Sequence, residues 1–245
     1  MTVVRVAVTR PREKAAETEK LIRKQGWEPV IVSSIELVPI PIDPAVVLTD
    51  FDCLVVTSAT GADLLWQHFK EELKNIDIAV VGPLTAEAFE NNSVSPTFVS
   101  EEYVGEKFAR ELTDIVRGKR VLVARAKKGK RRLVEILSDA AIVSEIAIYD
   151  SIPPRDETGM KRFKTLLEKR EIDAIIFTSS LSAQNLLEFI GGRGQMLLKK
   201  IVVCAIGPIT AKTLSELGIP VDCMPTKYTV DAALDEIKQV LPQKI

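Results

Sequence analysis

Hydroxyl-bearing turns follow four apolar runs of this sequence, and their residue types suit the binding of an anion. The four turns read Thr57-Ser58-Ala59-Thr60, Gly82-Pro83-Leu84-Thr85, Thr178-Ser179-Ser180-Leu181-Ser182 and Gly207-Pro208-Ile209-Thr210. Each turn lies where a strand is expected to end and a helix to begin, so hydroxyl and helix N–H groups would face the same ligand. For any single turn, helix capping is the simpler explanation, because Ser and Thr are preferred at the N-cap. Four such turns in one chain favour an anion site.

Basic residues follow two of the expected strands and add to this prediction. Arg10 and Arg12 come after the first strand, and Arg125 and Lys127 come after a strand that resembles it. The second group continues with Lys128, Lys130, Arg131 and Arg132. We expect this basic run to open a helix. Such a run is usually a solvated helix face, and the alternative is a rim that binds carboxylates or phosphates.

The chain lacks the motifs of common cofactor enzymes. No G-x-G-x-x-G or G-x-x-x-x-G-K-[ST] pattern follows a strand, so a dinucleotide or P-loop site is unsupported. His68 is the only histidine, its predicted place in a helix favours a structural role, and no Cys/His cluster suits a metal. Without an evident nucleophile–base pair, catalysis would be positional and electrostatic. Tyr149 stands out because it lies where a strand meets a Pro-containing connector; packing with a solvated hydroxyl group is the alternative for it.

Composition narrows the class of protein. The chain has 245 residues, of which 46% are hydrophobic, and its net charge is −1. These values fit a globular protein and give no reason to expect a nucleic-acid partner. No segment approaches the roughly 20 apolar residues of a membrane span, and the N-terminus shows no signal peptide. The widely spaced Cys53, Cys204 and Cys223 fit a reduced, cytoplasmic protein.

Expected strands and helices alternate along the sequence, which predicts an α/β fold with doubly wound parallel sheets. The chain also divides into four consecutive segments, of which the third repeats the first and the fourth repeats the second. The matches are Arg5–Arg10 with Arg120–Arg125, Val32-Ser33 with Val143-Ser144, Phe51–Ser58 with Ile172–Ser179, and Gly82–Ala86 with Gly207–Ala211. A repeat in fixed order indicates a duplicated architecture.

Two Pro-containing connectors, Pro39–Pro44 and Asp150–Pro154, lie at equivalent places of this repeat. They predict that the chain leaves one domain and returns to it. Residues 1–38 and 153–245 would form domain 1, and residues 39–152 would form an inserted domain 2. Two linker strands would make a hinged pair with a cleft between the domains. A tandem arrangement is the competing topology, and periodicity alone does not exclude it.

Apolar spacing places further elements. A helix that begins near Ser180 is expected to end at Ile190. Helical spacing also covers Val104–Val116 and Val230–Val240, and Val221–Met224 is expected to form a short last strand.

These features together resemble the uroporphyrinogen-III synthase family. The resemblance is carried by Thr57-Ser58 and Thr178-Ser179 and by Thr9-Arg10-Pro11, Ile148-Tyr149, Ala205–Ala211 and Tyr228–Ala233. It spans essentially the whole chain, and one departure is Ser180-Leu181, where a Ser-Pro step is common in the family. The family implies two α/β domains joined by a two-stranded linker, with domain 1 built from both chain ends.

The resemblance also implies a lyase activity without a cofactor. Hydroxymethylbilane, a linear tetrapyrrole polycarboxylate, loses its hydroxyl group as water, and the ring closes through a spiro intermediate with ring D inverted. The product is uroporphyrinogen III. The family match places Thr85, Tyr149 and Thr210 in the cleft as candidate catalytic residues, with Tyr149 as the candidate general acid. The predicted substrate-binding residues are Arg10, Thr57, Ser58, Ala59, Gly82, Pro83, Arg125, Lys127, Thr178, Ser179, Ser180, Gly207, Pro208 and Tyr228.

The implied setting is porphyrin and heme biosynthesis in the cytoplasm. The protein would be a monomer that takes its substrate from hydroxymethylbilane synthase, with no nucleic-acid or membrane partner. The alternative is a hinge-bending binding module, a sensor for a small anionic ligand, which the fold features alone allow. A nucleotide-using α/β enzyme is disfavoured by the missing phosphate-binding motifs.

Overall fold

The computed structural model describes residues 3–100, 105–129 and 131–244, in which strands and helices alternate. In chain order the strands and longer helices are β1 (Arg5–Thr9), α1 (Ala15–Lys24), β2 (Glu28–Val32), β3 (Glu36–Pro39), β4 (Cys53–Val56), α2 (Ala59–Phe69), β5 (Asp77–Val81), α3 (Pro83–Glu90), β6 (Phe98–Ser100), α4 (Gly105–Ile115), β7 (Arg120–Ala126), α5 (Arg132–Ser138), β8 (Ile142–Ile152), α6 (Thr158–Glu168), β9 (Ala174–Phe177), α7 (Ser180–Leu198), β10 (Val202–Ala205), α8 (Pro208–Glu216) and α9 (Val230–Lys244).

The described chain divides into two compact units. Unit 1 takes in the residues up to Glu36 and those from Ile152 onward, and unit 2 takes in Leu37 to Ser151. The strand order is β10-β9-β1-β2 in the sheet of unit 1 and β3-β8-β7-β4-β5-β6 in the sheet of unit 2. The neighbours β3 and β8 carry the chain into and out of unit 2, and they form the two-stranded linker.

Strand pairing decides between the two topologies that the repeat allowed. In unit 1, β1 pairs in parallel with β9, with Val6 opposite Ala174. In unit 2, β7 pairs in parallel with β4, with Val121 opposite Cys53. The first repeat segment therefore joins the last one in a single sheet, and the two inner segments form the other. This is the inserted arrangement, and the tandem arrangement is excluded.

Each sheet is covered by apolar side chains on both faces, as parallel sheets require. In unit 1 one layer contains Phe163 and Leu186 of α6 and α7, and the opposite layer contains Ile22 and Ile237 of α1 and α9. In unit 2 the layer under α2 and α3 contains Leu65 and Phe89, and the layer under α4 and α5 contains Phe108 and Leu137. The polar groups that this apolar covering leaves accessible are at the strand ends, where the turns lie.

Two expectations differ from the structure in unit 2, and a third is observed over the described residues. Strand β8 continues through Asp150 to Ile152, where a connector was expected, because only Pro153 and Pro154 lack an N–H for pairing. The basic run lies mainly in the turn before α5, which begins at Arg132. The expected helix Val104–Val116 is observed as α4, while Val104 lies outside the described residues, as does Lys130 of the basic run.

Two expectations differ in unit 1. Helix α7 does not end at Ile190: Gly191 adopts a φ of 68° and kinks the chain, and a second helical stretch continues to Leu198. The expected strand Val221–Met224 is reduced to one isolated bridge, between Cys204 and Cys223. Flanking prolines, Pro220 and Pro225, explain this, because they remove ladder donors on both sides.

One proposed repeat match is out of register. The strand pairings place Val32 opposite Thr9 and Ile146 opposite Ala124. Since Thr9 and Ala124 are equivalent, Val32 corresponds to Ile146 and not to Val143. Ser34 then corresponds to Ile148.

Candidate active site

Ser58 and Ser179 occupy equivalent turns, one in each unit, and both cap a helix. Ser58 Oγ accepts a hydrogen bond from the N–H of Gly61 at 3.0 Å at the start of α2. Ser179 Oγ accepts one from the N–H of Ser182 at 3.1 Å at the start of α7. Capping therefore accounts for both serines. Other N–H groups of each first turn have no acceptor within their own helix and point to the carboxyl edge of the sheet.

Tyr149 lies in β8, and its hydroxyl group meets that of Ser58. Tyr149 Oη and Ser58 Oγ are 3.1 Å apart, and either atom can donate. The ring packs against the apolar layer under α2 and α3, and the main-chain carbonyl of Tyr149 accepts from the N–H of Lys127 at 2.8 Å. Because Ser58 already accepts from Gly61, its own proton can be donated to Tyr149, which leaves the phenolic proton for another acceptor.

The two Gly-Pro turns share a sequence but differ in backbone conformation. Gly82 has a φ of 74°, a left-handed conformation that other residues rarely adopt. Gly207 is extended, with a φ of −170°, and a Cβ there would lie 3.4 Å from the ring of Tyr228, an ordinary van der Waals distance. In both turns the proline is the first residue of a helix, which its missing N–H favours. The threonines two residues later, Thr85 and Thr210, are each only 4% exposed.

A buried network of hydroxyl groups supports the strand ends of unit 1. Thr9 Oγ1 lies 3.1 Å from Ser182 Oγ and accepts from the N–H of Thr178 at 3.0 Å, and Thr178 Oγ1 donates to the carbonyl of Thr9. Ser34 Oγ donates to the carbonyl of Ser182 at 2.9 Å, and Asn185 donates to the carbonyl of Ser34 at 2.8 Å. Sequence reasoning named Thr9 only within the motif Thr9-Arg10-Pro11 and did not single out Ser34 or Asn185; hydroxyl residues at the end of an apolar strand were the available signal.

Arg10 follows β1 and is largely enclosed by protein. Its Nε is buried without a hydrogen-bond partner among the described residues. Burial lowers the pKa of the guanidinium from its ordinary value, and the Glu17 carboxylate opposes that shift. Arg12 differs, because it is exposed and forms an ion pair with Asp156 at 2.8 Å. Arg10 is therefore the cation of this turn with unused donor capacity.

Arg125 holds its own turn together. Its guanidinium contacts Glu145 at 2.8 Å and donates from Nη1 to the carbonyls of Ala126 and Gly129, both at 2.9 Å. Arg131 also pairs with Glu145, at 2.8 Å. Lys127, in contrast, is exposed in the turn itself. Any contact of Arg125 with a ligand stays a prediction.

The structure groups the predicted site residues by unit at the carboxyl ends of the strands. Unit 2 holds Thr57, Ser58, Ala59, Gly82, Pro83, Thr85, Arg125, Lys127 and Tyr149. Unit 1 holds Arg10, Thr178, Ser179, Ser180, Gly207, Pro208, Thr210 and Tyr228. Ser180 Oγ accepts from Thr213 Oγ1 at 2.8 Å, which ties α7 to α8.

The described residues contain no group of three or more His, Cys, Asp or Glu side chains that could hold a metal ion. Over the same residues, every helix is too short or too polar to cross a membrane.

Fold and turns together define a two-unit α/β protein in which duplicated helix starts present hydroxyl and N–H groups at the carboxyl edge of each sheet. The family model described as Uroporphyrinogen-III synthase HemD matches residues 16–235. The chain belongs to the uroporphyrinogen-III synthase family.

Individual relatives agree with this assignment over nearly full length. A protein of Archaeoglobus fulgidus, provisionally named as a uroporphyrinogen-III synthase, is 31% identical over 235 residues, covering 96% of this chain and 98% of its own. The uroporphyrinogen-III synthase of Chlorobaculum parvum is 26% identical, and the match covers 91% of this chain and 93% of that protein. A mutant uroporphyrinogen III synthase of Thermus thermophilus has the same fold, with a TM-score of 0.68, 19% identity, and coverage of 98% and 100%.

Proposed function

We propose that this protein is a uroporphyrinogen-III synthase, a lyase that closes hydroxymethylbilane with loss of water and inversion of ring D. Family membership supports the reaction. The observation that carries the substrate class is the set of helix starts at the strand ends of both sheets, two of them capped by Ser58 and Ser179. A polycarboxylate needs many donors, and helix N-termini supply them without basic side chains. The sensor alternative is not favoured, because the matching family is one of synthases.

We assign binding of the substrate carboxylates to the strand-end turns of each unit. In unit 2 the donors are the first turns of α2 and α3, with Lys127 as an exposed cation. In unit 1 they are the first turns of α7 and α8, with Arg10 as the cation. The buried Arg10 Nε supports this role, because a carboxylate would supply the hydrogen-bond acceptor that the described residues do not.

We assign to Tyr149 the protonation of the hydroxyl group that leaves the substrate. The phenol would donate its proton as the carbon–oxygen bond breaks, so that water leaves and the pyrrole nitrogen stabilises the resulting cation. The hydrogen bond between Ser58 Oγ and Tyr149 Oη, in which either atom can donate, supports this role by holding the phenol in position. The remaining work is positional: the substrate must be held so that the substituted carbon of ring D is attacked. Thr85 and Thr210, both nearly buried, would support the turns that hold it.

We further propose that the substrate is taken directly from hydroxymethylbilane synthase, because free hydroxymethylbilane closes spontaneously to the isomer without inversion.

The protein would act as a monomer, and sedimentation velocity would measure this. A cytoplasmic location is supported by the buried thiols of Cys53 and Cys204, which fit a reducing compartment.

An isomer assay tests the function. Hydroxymethylbilane is generated in situ, the purified protein is added without metal or nucleotide, and the oxidised products are separated as type I and type III porphyrins. We expect mainly type III. Type I alone, at the rate of the reaction without protein, would refute the proposal.

A further inference from the structure

Two large aliphatic side chains project into solvent from the Gly-Pro turns. Leu84 is 51% exposed and Ile209 is 54% exposed. They occupy the same position of the repeat, the second residue of α3 and of α8. A single exposed aliphatic residue is ordinary on a protein surface. Recurrence at equivalent positions in both units requires a common cause.

The local structure does not need an aliphatic side chain at this position. The inward-facing residues of the same turns are Thr85 and Thr210, which are nearly buried, so the core contacts are made by the next residue. The first turn of a helix instead favours acidic side chains, because they interact with its exposed N–H groups. Leu84 and Ile209 therefore stand where a soluble protein gains most from a carboxylate.

Acidic residues are absent from the first turns of all four helices that begin at the predicted binding turns, α2, α3, α7 and α8. The first turns of α1, α4, α5 and α9 each contain one. Helix α6 has none there, but its N-cap residue is Glu157. This pattern fits helix starts that accept the negative charge of a ligand. Beside those starts, Leu84 and Ile209 fit a ligand that also has an apolar body.

We propose that Leu84 and Ile209 contact the pyrrole rings of the substrate while the N–H groups of the same helix starts bind its carboxylates. The inference rests on the proposed function and deepens it, since a linear tetrapyrrole combines a negatively charged periphery with apolar rings. The pair would thus select a tetrapyrrole over a simple polycarboxylate. It would act in binding the substrate and not in the chemical step.

Serine substitutions test the contact in each unit. Covering half to all of the exposed part of one such side chain corresponds to a change of about 5- to 30-fold in affinity. We expect Leu84→Ser and Ile209→Ser each to raise KM for hydroxymethylbilane by about that factor, with kcat little changed and the effects multiplying in the double variant. The dissociation constant of uroporphyrinogen III, measured under nitrogen, should rise in parallel. Leu84→Met and Ile209→Met should restore both values.

Matched controls are Ile142→Ser in unit 2, where the residue is 67% exposed, and Met196→Ser in unit 1, where it is 62% exposed. These should leave KM unchanged. If the serine variants of the turns unfold, Leu84→Gln and Ile209→Gln keep length and helix propensity and are judged in the same way. KM and the dissociation constant at wild-type values would overturn the inference while type III formation continues. A wild-type protein that forms only type I would remove the proposed function and the inference together.

Discussion

Tyr149→Phe removes one oxygen atom and tests whether the phenol takes part in the chemical step. In the folded protein the change deletes the 3.1 Å contact with Ser58 and leaves the ring packing in place. The lost hydrogen bond should cost about 1 kcal/mol of unfolding free energy, a shift of about 2–4 °C in Tm for a chain of this size. A lost general acid costs about 10²- to 10⁴-fold in rate, so kcat should fall far more than stability alone explains. KM should stay close to that of the unchanged protein.

Ser58→Ala tests whether the serine orients the phenol. The variant loses the cap of α2, worth about 1 kcal/mol, and Tyr149 loses its hydrogen-bond partner. We expect a smaller fall in kcat than for Tyr149→Phe. If the two hydroxyl groups act as one chain, adding Ser58→Ala to Tyr149→Phe should lower kcat little further.

Initial rates of type III formation, with kcat and KM separated, measure both effects. Thr97→Val is the matched control, because Thr97 Oγ1 accepts a hydrogen bond from the N–H of Ile78 at 3.1 Å. This contact lies at the start of β5, away from the carboxyl ends of the strands. It should lower Tm and leave kcat unchanged. A Tyr149→Phe protein with less than about a tenfold loss of kcat would lie below the range of general-acid catalysis and refute the assignment.

Three further predictions concern single residues. Gly194→Ala should lower the unfolding free energy by about 1–3 kcal/mol in urea titrations, because its Cβ would lie 2.6 Å from the Ile190 Cβ, whereas Gly192→Ala, with open space at its Cβ position, should not destabilise. Arg10→Met should raise KM by about tenfold or more through a lost charged hydrogen bond without lowering Tm, since the buried Nε has no partner in the described part of the chain; an unchanged KM would contradict its role. Burial, with the Asp77 charge, raises the pKa of Cys53 from its ordinary value of 9.0 to about 11. The unfolded thiol therefore ionises first, and stability should be full below about pH 9 and fall by about 2 kcal/mol toward pH 11. Cys53→Ala should lack that part of the decline.

Apolar runs and Gly-Pro turns were sufficient to predict the alternation of strands and helices and the α/β class. A strand such as β9, buried on both faces, has an unmistakable composition, and the turn after β10 places its glycine and proline at the boundary. The order of the repeat also allowed the inserted topology. It could not choose that topology, because only the pairing of β1 with β9, far apart in sequence, distinguishes it from a tandem arrangement.

Local patterns failed where tertiary contacts decide. Gly191 is typical of the end of a helix, but α7 resumes after a kink because Leu198 packs into the hydrophobic core. The segment Val221–Met224 has strand-like composition, yet its flanking prolines leave one bridge. In the candidate site, the types of Arg10 and Arg125 suggested equal roles. The structure separates them, since Arg125 is engaged by Glu145 and backbone carbonyls, and such partners are set by the fold.

The repeat also shows how one architecture acquires two roles. In unit 1, Thr9, Ser34 and Ser182 form a buried hydroxyl network beneath the strand ends. The equivalent residues of unit 2 are Ala124, Ile148 and Gly61.

In unit 2, apolar packing takes the place of this hydroxyl network. A Cβ at Gly61 would lie 3.2 Å from Ile148 and 3.1 Å from Ser58 Oγ. Gly61 therefore gives Ser58 room to sit beside Tyr149. Unit 1 has a buried polar support at this place, whereas unit 2 has the partly buried hydroxyl pair of Ser58 and Tyr149. We infer that proton transfer belongs to unit 2. Substitutions at Thr9 or Ser182 should then affect stability and KM, and those at Ser58 or Tyr149 should affect kcat.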